Sequence, residues 1–181
     1  MIVLVDGPSG SGKTTLATRL GILLRLPVIH MDDFYPGWSG LAAGSDIIAA
    51  SVLKTTDPGY YRWDWANDRA GEWVPVPPGA KIIEGAGAVT AETLRAASIS
   101  DHQVAAIMLT GEATTRYRRT MRRDPYYEPY WKMWSEQEKR HYAVQSQGLG
   151  DLVPTLWIDT TGLDAGQVVR RAYDFITYYV E

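Results

Sequence analysis

Eight residues near the start of the chain, Gly7 to Thr14, read GPSGSGKT and constrain the fold more than any other part of the sequence. They satisfy the pattern GxxxxGK(S/T). They also sit where that pattern has physical meaning, after the short apolar run Ile2 to Val5 and before an Ala/Leu-bearing helical stretch that starts near Lys13. Gly7, Gly10 and Gly12 let the backbone curl, so that successive amides, those of Ser9 and Ser11 included, turn inward around an anion. The helix start beneath adds its positive dipole end. Lys13 is placed to reach the outer phosphates of a nucleoside triphosphate and the Thr14 hydroxyl to ligate Mg²⁺, while Thr15 completes the cofactor-binding set. ATP and Mg²⁺ are the implied ligands.

The rest of the chain alternates in the same way. Further short, mostly β-branched runs occur at Val28 to Met31, Lys81 to Ile83, Val104 to Leu109 and Thr155 to Ile158. None shows polar alternation, as expected of parallel strands covered on both faces. Helical stretches lie between them at Lys13 to Arg25, Ser45 to Lys54, Thr90 to Ala97, Glu112 to Arg123, Trp131 to Gln147 and Asp164 to Val180, with Asp164 as N-cap of the last. The fold class is therefore α/β, with a five-stranded parallel sheet and helices on both faces. Residues 1–181 read as one domain, with a lid over about 112–134. Thr55 to Gly79, rich in Pro, Trp and Tyr, is expected to be an irregular excursion.

Open parallel sheets bind ligands beyond the carboxyl ends of their strands, so the residues there form one expected constellation. After the second run comes Met31-Asp32-Asp33-Phe34-Tyr35. Adjacent carboxylates cannot face the same way; Asp32 is assigned inward, as base for an acceptor hydroxyl and toward the metal, and Asp33 to a local partner. Glu84 after the third run is a second metal-side carboxylate, followed by the small residues Gly85, Ala86 and Gly87. The arginines of the following helix fall on two faces, and Arg119 and Arg123 are expected over the transferring phosphoryl group. Asp124 to Pro129 then reads as a loop at a hinged lid. Thr160, Thr161 and Gly162 read either as a loop along the adenine or as a plain turn. In the excursion, Tyr61, Trp63 and Asp64, together with Tyr35, are the expected acceptor-binding residues: flat faces for a ring and a carboxylate for paired hydroxyls. The aromatic cluster Tyr126, Tyr127, Tyr130, Trp131 and Trp134 reads as lid packing.

Charge and composition remove other classes. Eighteen basic against twenty-one acidic residues leave a net charge of −3, against a protein that binds nucleic acid by neutralising phosphates. With no cysteine, disulfides and thiolate metal sites are excluded. No apolar run approaches membrane-span length, and the first residues lack the blocks of a signal peptide, so neither a membrane nor secretion is expected and the cytoplasm is the expected location. The partner to expect is a small-molecule acceptor, and the aromatic surface content is compatible with a homodimer.

The GPSGSGKTT loop, MDDFY after the second strand, the WDW segment, IIEGAGA at the third strand and the arginine-rich helix together resemble the uridine kinase and phosphoribulokinase group of P-loop kinases. That resemblance implies a sheet of order 2-3-1-4-5, ATP-dependent phosphorylation of a hydroxyl, Asp32 as base, Asp64 on the acceptor's sugar and Glu84 near Mg²⁺. DDFY is also similar to a segment of nicotinamide riboside kinases. The lid reads Arg122-Arg123-Asp124-Pro125-Tyr126 in place of the Arg-Asp-Arg-Gly-Arg type of uridine kinases, so the resemblance does not choose the base. Two other readings stay open: a nucleoside monophosphate or sugar-acid kinase holding an acceptor phosphate on Arg62 and Arg69, and a regulatory nucleotide-binding module with slow hydrolysis.

Overall fold

The computed structural model describes residues 1–99, 101–145 and 152–179. All five apolar runs become strands: β1 (Ile2–Asp6), β2 (Val28–His30), β5 (Lys81–Glu84), β6 (Val104–Thr110) and β7 (Thr155–Asp159). They form one parallel sheet ordered β2-β5-β1-β6-β7. Counted among the sheet strands alone, this is the order 2-3-1-4-5 that the resemblance implies.

Helices cover both faces. On one, α1 (Lys13–Leu24) and α6 (Ala165–Tyr179) pack Leu16, Leu20, Val168 and Ile176 against Val3, Val5, Ile107 and Ile158. On the other, α2 (Leu41–Ile47), α3 (Ala91–Ser98) and α5 (Glu128–Gln145) enclose Leu4, Ile83, Met108 and Phe34, with Leu41, Leu94 and Trp134 among the contributors. Every residue of β1 is buried, which is why its sequence carries no polar alternation. Each large aliphatic side chain taken out of water in this way contributes about 1.5 to 3 kcal/mol.

The helix boundaries follow local chemistry. At α3, Thr90 and Thr93 form a reciprocal capping box. At α6, Asp164 Oδ1 accepts from the Gln167 amide at 2.9 Å and the Gln167 side chain accepts from the Asp164 amide, as the expected N-cap requires. Helix α2 begins at Leu41, earlier than the expected Ser45, and passes into a π turn over Ile48–Val52. Helix α5 begins at Glu128 instead of Trp131; Ser146 and Gln147 of the expected span, and Val180 of the C-terminal one, lie outside the described residues. Between α4 (Ala113–Arg123) and α5 runs one 3-10 turn, Pro125–Tyr127.

The excursion at 55–79 is not irregular. It contains an antiparallel hairpin, β3 (Gly59–Asp64) with β4 (Arg69–Pro75), whose register shifts between Tyr61 and Trp63. The prolines that argued against strands flank the ladder or end it, positions where a missing donor costs nothing.

Register places the site. His30 of β2, Glu84 of β5 and Val5 of β1 stand level across the sheet. The chain therefore leaves three neighbouring strands at one edge, bringing the glycine-rich loop, Asp32 and Glu84 together.

Candidate functional site

The glycine-rich loop curls between β1 and α1 with backbone angles that glycine alone adopts without strain. Gly10 has φ +76°, and a Cβ there would run into the backbone of Arg116 in α4; Gly12, with φ +100°, is the left-handed N-cap of α1. The amides of Lys13, Thr14 and Thr15 have no protein acceptor among the described residues. They are the orphan donors of a helix start, free to meet an anion. The Lys13 ammonium lies back over the loop, 3.4 Å from the Pro8 carbonyl. Three amides expected to face inward do not. Gly7 donates to Asp6 Oδ1 at 2.6 Å and Ser9 to Glu138 Oε1 at 2.6 Å, where buried carboxylates lie within reach, and Ser11 donates to the Pro8 carbonyl at 3.1 Å within the loop itself.

Asp6 clasps the loop from below. Fully buried, it also accepts from the amides of Gly87 and Val89 and from the Tyr142 hydroxyl at 2.7 Å. It ties the phosphate loop to the segment after β5 and to α5. The sequence carried one signal for it: it is the first charged residue at the end of an otherwise apolar strand.

Asp32 and Glu84 line the same cavity as Ser9, Lys13 and Thr14. Asp32 is exposed at the cavity wall but hemmed in by protein. That desolvation and the charge of Glu84 hold its carboxyl above the usual carboxylate range, against Lys13, Arg123 and His30. Glu84 is buried and bonds His30 Nδ1 at 2.7 Å, and this hydrogen bond raises the imidazole above its ordinary value despite partial burial. Asp33 accepts from the Tyr60 hydroxyl at 3.2 Å, the local partner expected of the second carboxylate. Among the described residues no three His, Cys, Asp or Glu side chains form a group able to hold a metal ion by themselves. A hydroxyl and one or two carboxylates suit Mg²⁺ that takes its remaining oxygens from phosphates and water, so Thr14, Asp32 and Glu84 fit the group.

The arginine helix contributes differently from expectation. Arg119 lines the cavity, but its guanidinium donates to the Thr160 carbonyl and hydroxyl at 2.8 and 3.0 Å, bracing the loop after β7. Arg116 donates to the Ser9 carbonyl at 2.9 Å and to the Gly111 carbonyl at 3.0 Å, and lies over Trp131. Arg122 and Arg123 line the cavity and are exposed to it. The segment 112–134 is bound down to the loop it covers: the Gly10 contact, Arg116 and the buried Trp134 fix its base.

The cavity measures about 800 Å³, the size of a typical small-molecule site. Beyond the loop its wall is aromatic: Tyr35, Trp38, Trp65, Tyr127, Tyr130 and Trp134. Trp38 stacks flat on Tyr130 with centroids 3.9 Å apart, meets Trp65 at 5.1 Å, and its carbonyl accepts from the Gln137 side chain at 2.7 Å. Tyr35 is fixed by its hydroxyl on the Ala86 carbonyl. Three of the expected acceptor residues lie outside this lining. Tyr61 is exposed and packs edge-on to Trp73; Trp63 is half-buried in the hairpin. Asp64 closes the hairpin turn, accepting from the amides of Ala66 and Asn67 and from the Asn67 side chain, so its oxygens are spent locally. Arg62 pairs with Glu72 at the surface, and Arg69 lies 3.9 Å from Asp64, so the expected phosphate site on these two arginines is not assembled in the cavity. Thr160 does line it, with Leu163 and Val168. Trp38 and Glu138 were not among the expected site residues, and Trp65 stood there only as part of the WDW segment. Trp38 stands apart from every motif, and Glu138 lies in a polar helical stretch with nothing to mark it as buried.

No protein-family model and no curated protein matches the chain. Solved structures do. A sugar kinase from Janibacter sp. HTCC2649 is similar at 16% identity, covering 97% of this chain and 94% of that one with a TM-score of 0.60. Shikimate kinase from Acinetobacter baumannii is similar at 14%, covering 98% and 93% with a TM-score of 0.59. A possible uridine kinase from Bacillus stearothermophilus is similar at 18%, covering 86% and 88% with a TM-score of 0.51. At such identities the likeness is one of fold: a five-stranded parallel sheet flanked by helices, arranged as in P-loop kinases.

Proposed function

We propose that this protein is an ATP-dependent kinase that transfers the terminal phosphoryl group to a hydroxyl of a small ring-bearing molecule, a nucleoside above all. One observation carries the reading: free helix-start amides, Lys13, Asp32 and Glu84 line a single cavity together with the aromatic rings of Trp38, Trp65, Tyr127 and Tyr130. Phosphoryl transfer asks a protein mainly for positioning and electrostatics. Lys13 and the α1 amides orient the donor phosphates. Thr14, Asp32 and Glu84 would hold Mg²⁺, which when bound would supply charge neutralisation at those phosphates. Asp32 accepts the proton of the attacking hydroxyl, a role that contributes roughly 10²- to 10⁴-fold. Arg123, with Arg122, faces the transferring group, while Arg119 acts through the Thr160 loop.

The acceptor's ring is assigned to Trp38, Trp65, Tyr127 and Tyr130, not to Tyr61, Trp63 and Asp64. Neither Arg62 nor Arg69 lines that cavity, so it favours no acceptor phosphate site on them. Residues 1–181 act as one catalytic unit with 112–134 as its cover, working in the cytoplasm. The direct test is a panel of nucleosides, nucleotides and polyols with ATP and Mg²⁺, reading ADP release and product mass. A nucleoside monoester is the expected product; ATP turnover unaffected by any acceptor overturns the reading.

A further inference from the structure

Ser9, the third residue of the glycine-rich loop, is held at every polar atom by the segment that covers it. Its amide and hydroxyl both donate to Glu138 Oε1, at 2.6 and 2.8 Å. The hydroxyl also lies 3.0 Å from the Tyr127 hydroxyl, and the carbonyl accepts from Arg116. Glu138 is 2% exposed, and its Oε2 stands 3.9 Å from the Arg116 guanidinium. A buried anion thus sits directly behind a loop built to receive another anion.

The groups facing Glu138 come from every side. Lys13 of α1 and Arg116 of α4 offset its charge; Tyr127 meets the same Ser9 hydroxyl, and the charges of Glu138 and Asp6 both act on Tyr35 and Tyr142, whose hydroxyls are bonded to the Ala86 carbonyl and to Asp6. Burial already holds the Glu138 carboxyl above its usual range, opposed by Lys13, the Ser9 donors and Arg116. Of the two cations, Lys13 is the one a triphosphate recruits. On binding, Glu138 shares its nearest mobile counter-charge with a polyanion and meets that polyanion's repulsion across Ser9, and both effects favour the neutral acid.

We propose that Glu138 is a positioning residue of the phosphate loop, fixing Ser9 through amide and hydroxyl, and that it takes up a proton from solvent when the triphosphate binds. The protonated acid keeps one oxygen as acceptor for Ser9 and carries the new proton on the other, so the latch survives loading without two anions in contact. The proposal rests on the reading that this loop binds a nucleoside triphosphate.

Calorimetric titration of the whole chain with Mg-ATP, in buffers of differing ionisation enthalpy from about pH 6 to about pH 8, counts the protons. Wild type is expected to take up a proton, and its affinity to fall by up to about tenfold per pH unit within the linked range. Glu138→Gln, which keeps the acceptor oxygen, is expected to show neither effect. The triphosphate's own last ionisation acts in the opposite direction and is common to both proteins. An infrared difference spectrum of ATP-loaded minus free wild type, which needs no variant, is expected to gain a protonated-carboxyl band. Binding without uptake and without that band overturns the role of Glu138 and leaves the triphosphate reading standing, as does equal uptake in Glu138→Gln. No ATP binding at all overturns both.

Discussion

Asp32 carries opposed demands on a single side chain. To accept a proton it must be ionised at working pH, yet the cavity wall and Glu84 favour its neutral form. A carboxyl raised on folding lends stability that is complete below the unfolded-state value and is lost as pH rises through the folded one. At neutral pH the ionised group is therefore a burden on the free fold. Asp32→Asn is expected to lower turnover with a verified acceptor by roughly 10²- to 10⁴-fold and to raise the melting temperature at neutral pH, an increase that shrinks as pH falls below the folded value. Turnover within threefold of wild type sinks the base assignment, and a lowered melting temperature sinks the electrostatic account. Its place in the cavity wall was legible because strand ends in a parallel sheet face one edge. Asp64 was not: its aromatic neighbours suggested an acceptor site, whereas a turn two residues on supplies amides close enough to consume it.

At the scale of elements, α5 joins three parts that the sequence presents separately. Tyr130 stacks on Trp38, Gln137 holds the Trp38 carbonyl, Glu138 holds Ser9, and Tyr142 holds Asp6. Spaced along one helix, these side chains stitch the β2–α2 connection, the phosphate loop and β1 to the cover. Trp38→Ala removes the flat stack and part of the aromatic wall but no contact to the phosphate loop. Aromatic pairs contribute about 0.5 to 1.5 kcal/mol beyond burial, so the acceptor KM is expected to rise at least about 2- to 10-fold with nucleotide affinity unchanged. Steady-state kinetics beside a nucleotide titration checks this, and an equal loss of both would mean that Trp38 serves folding alone. The sequence concealed the helix's role because its inward face is aromatic and polar, unlike the aliphatic stripe that marks a buried face elsewhere. The β3–β4 hairpin was missed for a related reason, its short runs being framed by prolines and broken by a register shift.

For the molecule as a whole, the cavity lies where the loop, two strand ends, the β7–α6 connection and the cover meet, so filling it ties these parts together. A ligand that binds only the folded state at a hundred times its Kd adds about 2.7 kcal/mol. In a chain of this size each kcal/mol moves the melting point by about 2 to 4 °C. Mg-ATP at that excess is therefore expected to raise the melting temperature by roughly 5 to 10 °C in a thermal shift measurement, and no shift at saturating nucleotide would contradict the site. Local chemistry in the sequence was enough to set the five strands, the loop between β1 and α1 and the carboxylates at the strand tips, because periodicity, glycine placement and strand-end position act over a few residues. Which aromatics face the cavity, that Arg119 braces a loop, and that Glu138 lies behind Ser9 were decided by tertiary structure alone, since these contacts join residues as many as 129 positions apart and depend on how α4 and α5 close over the sheet edge.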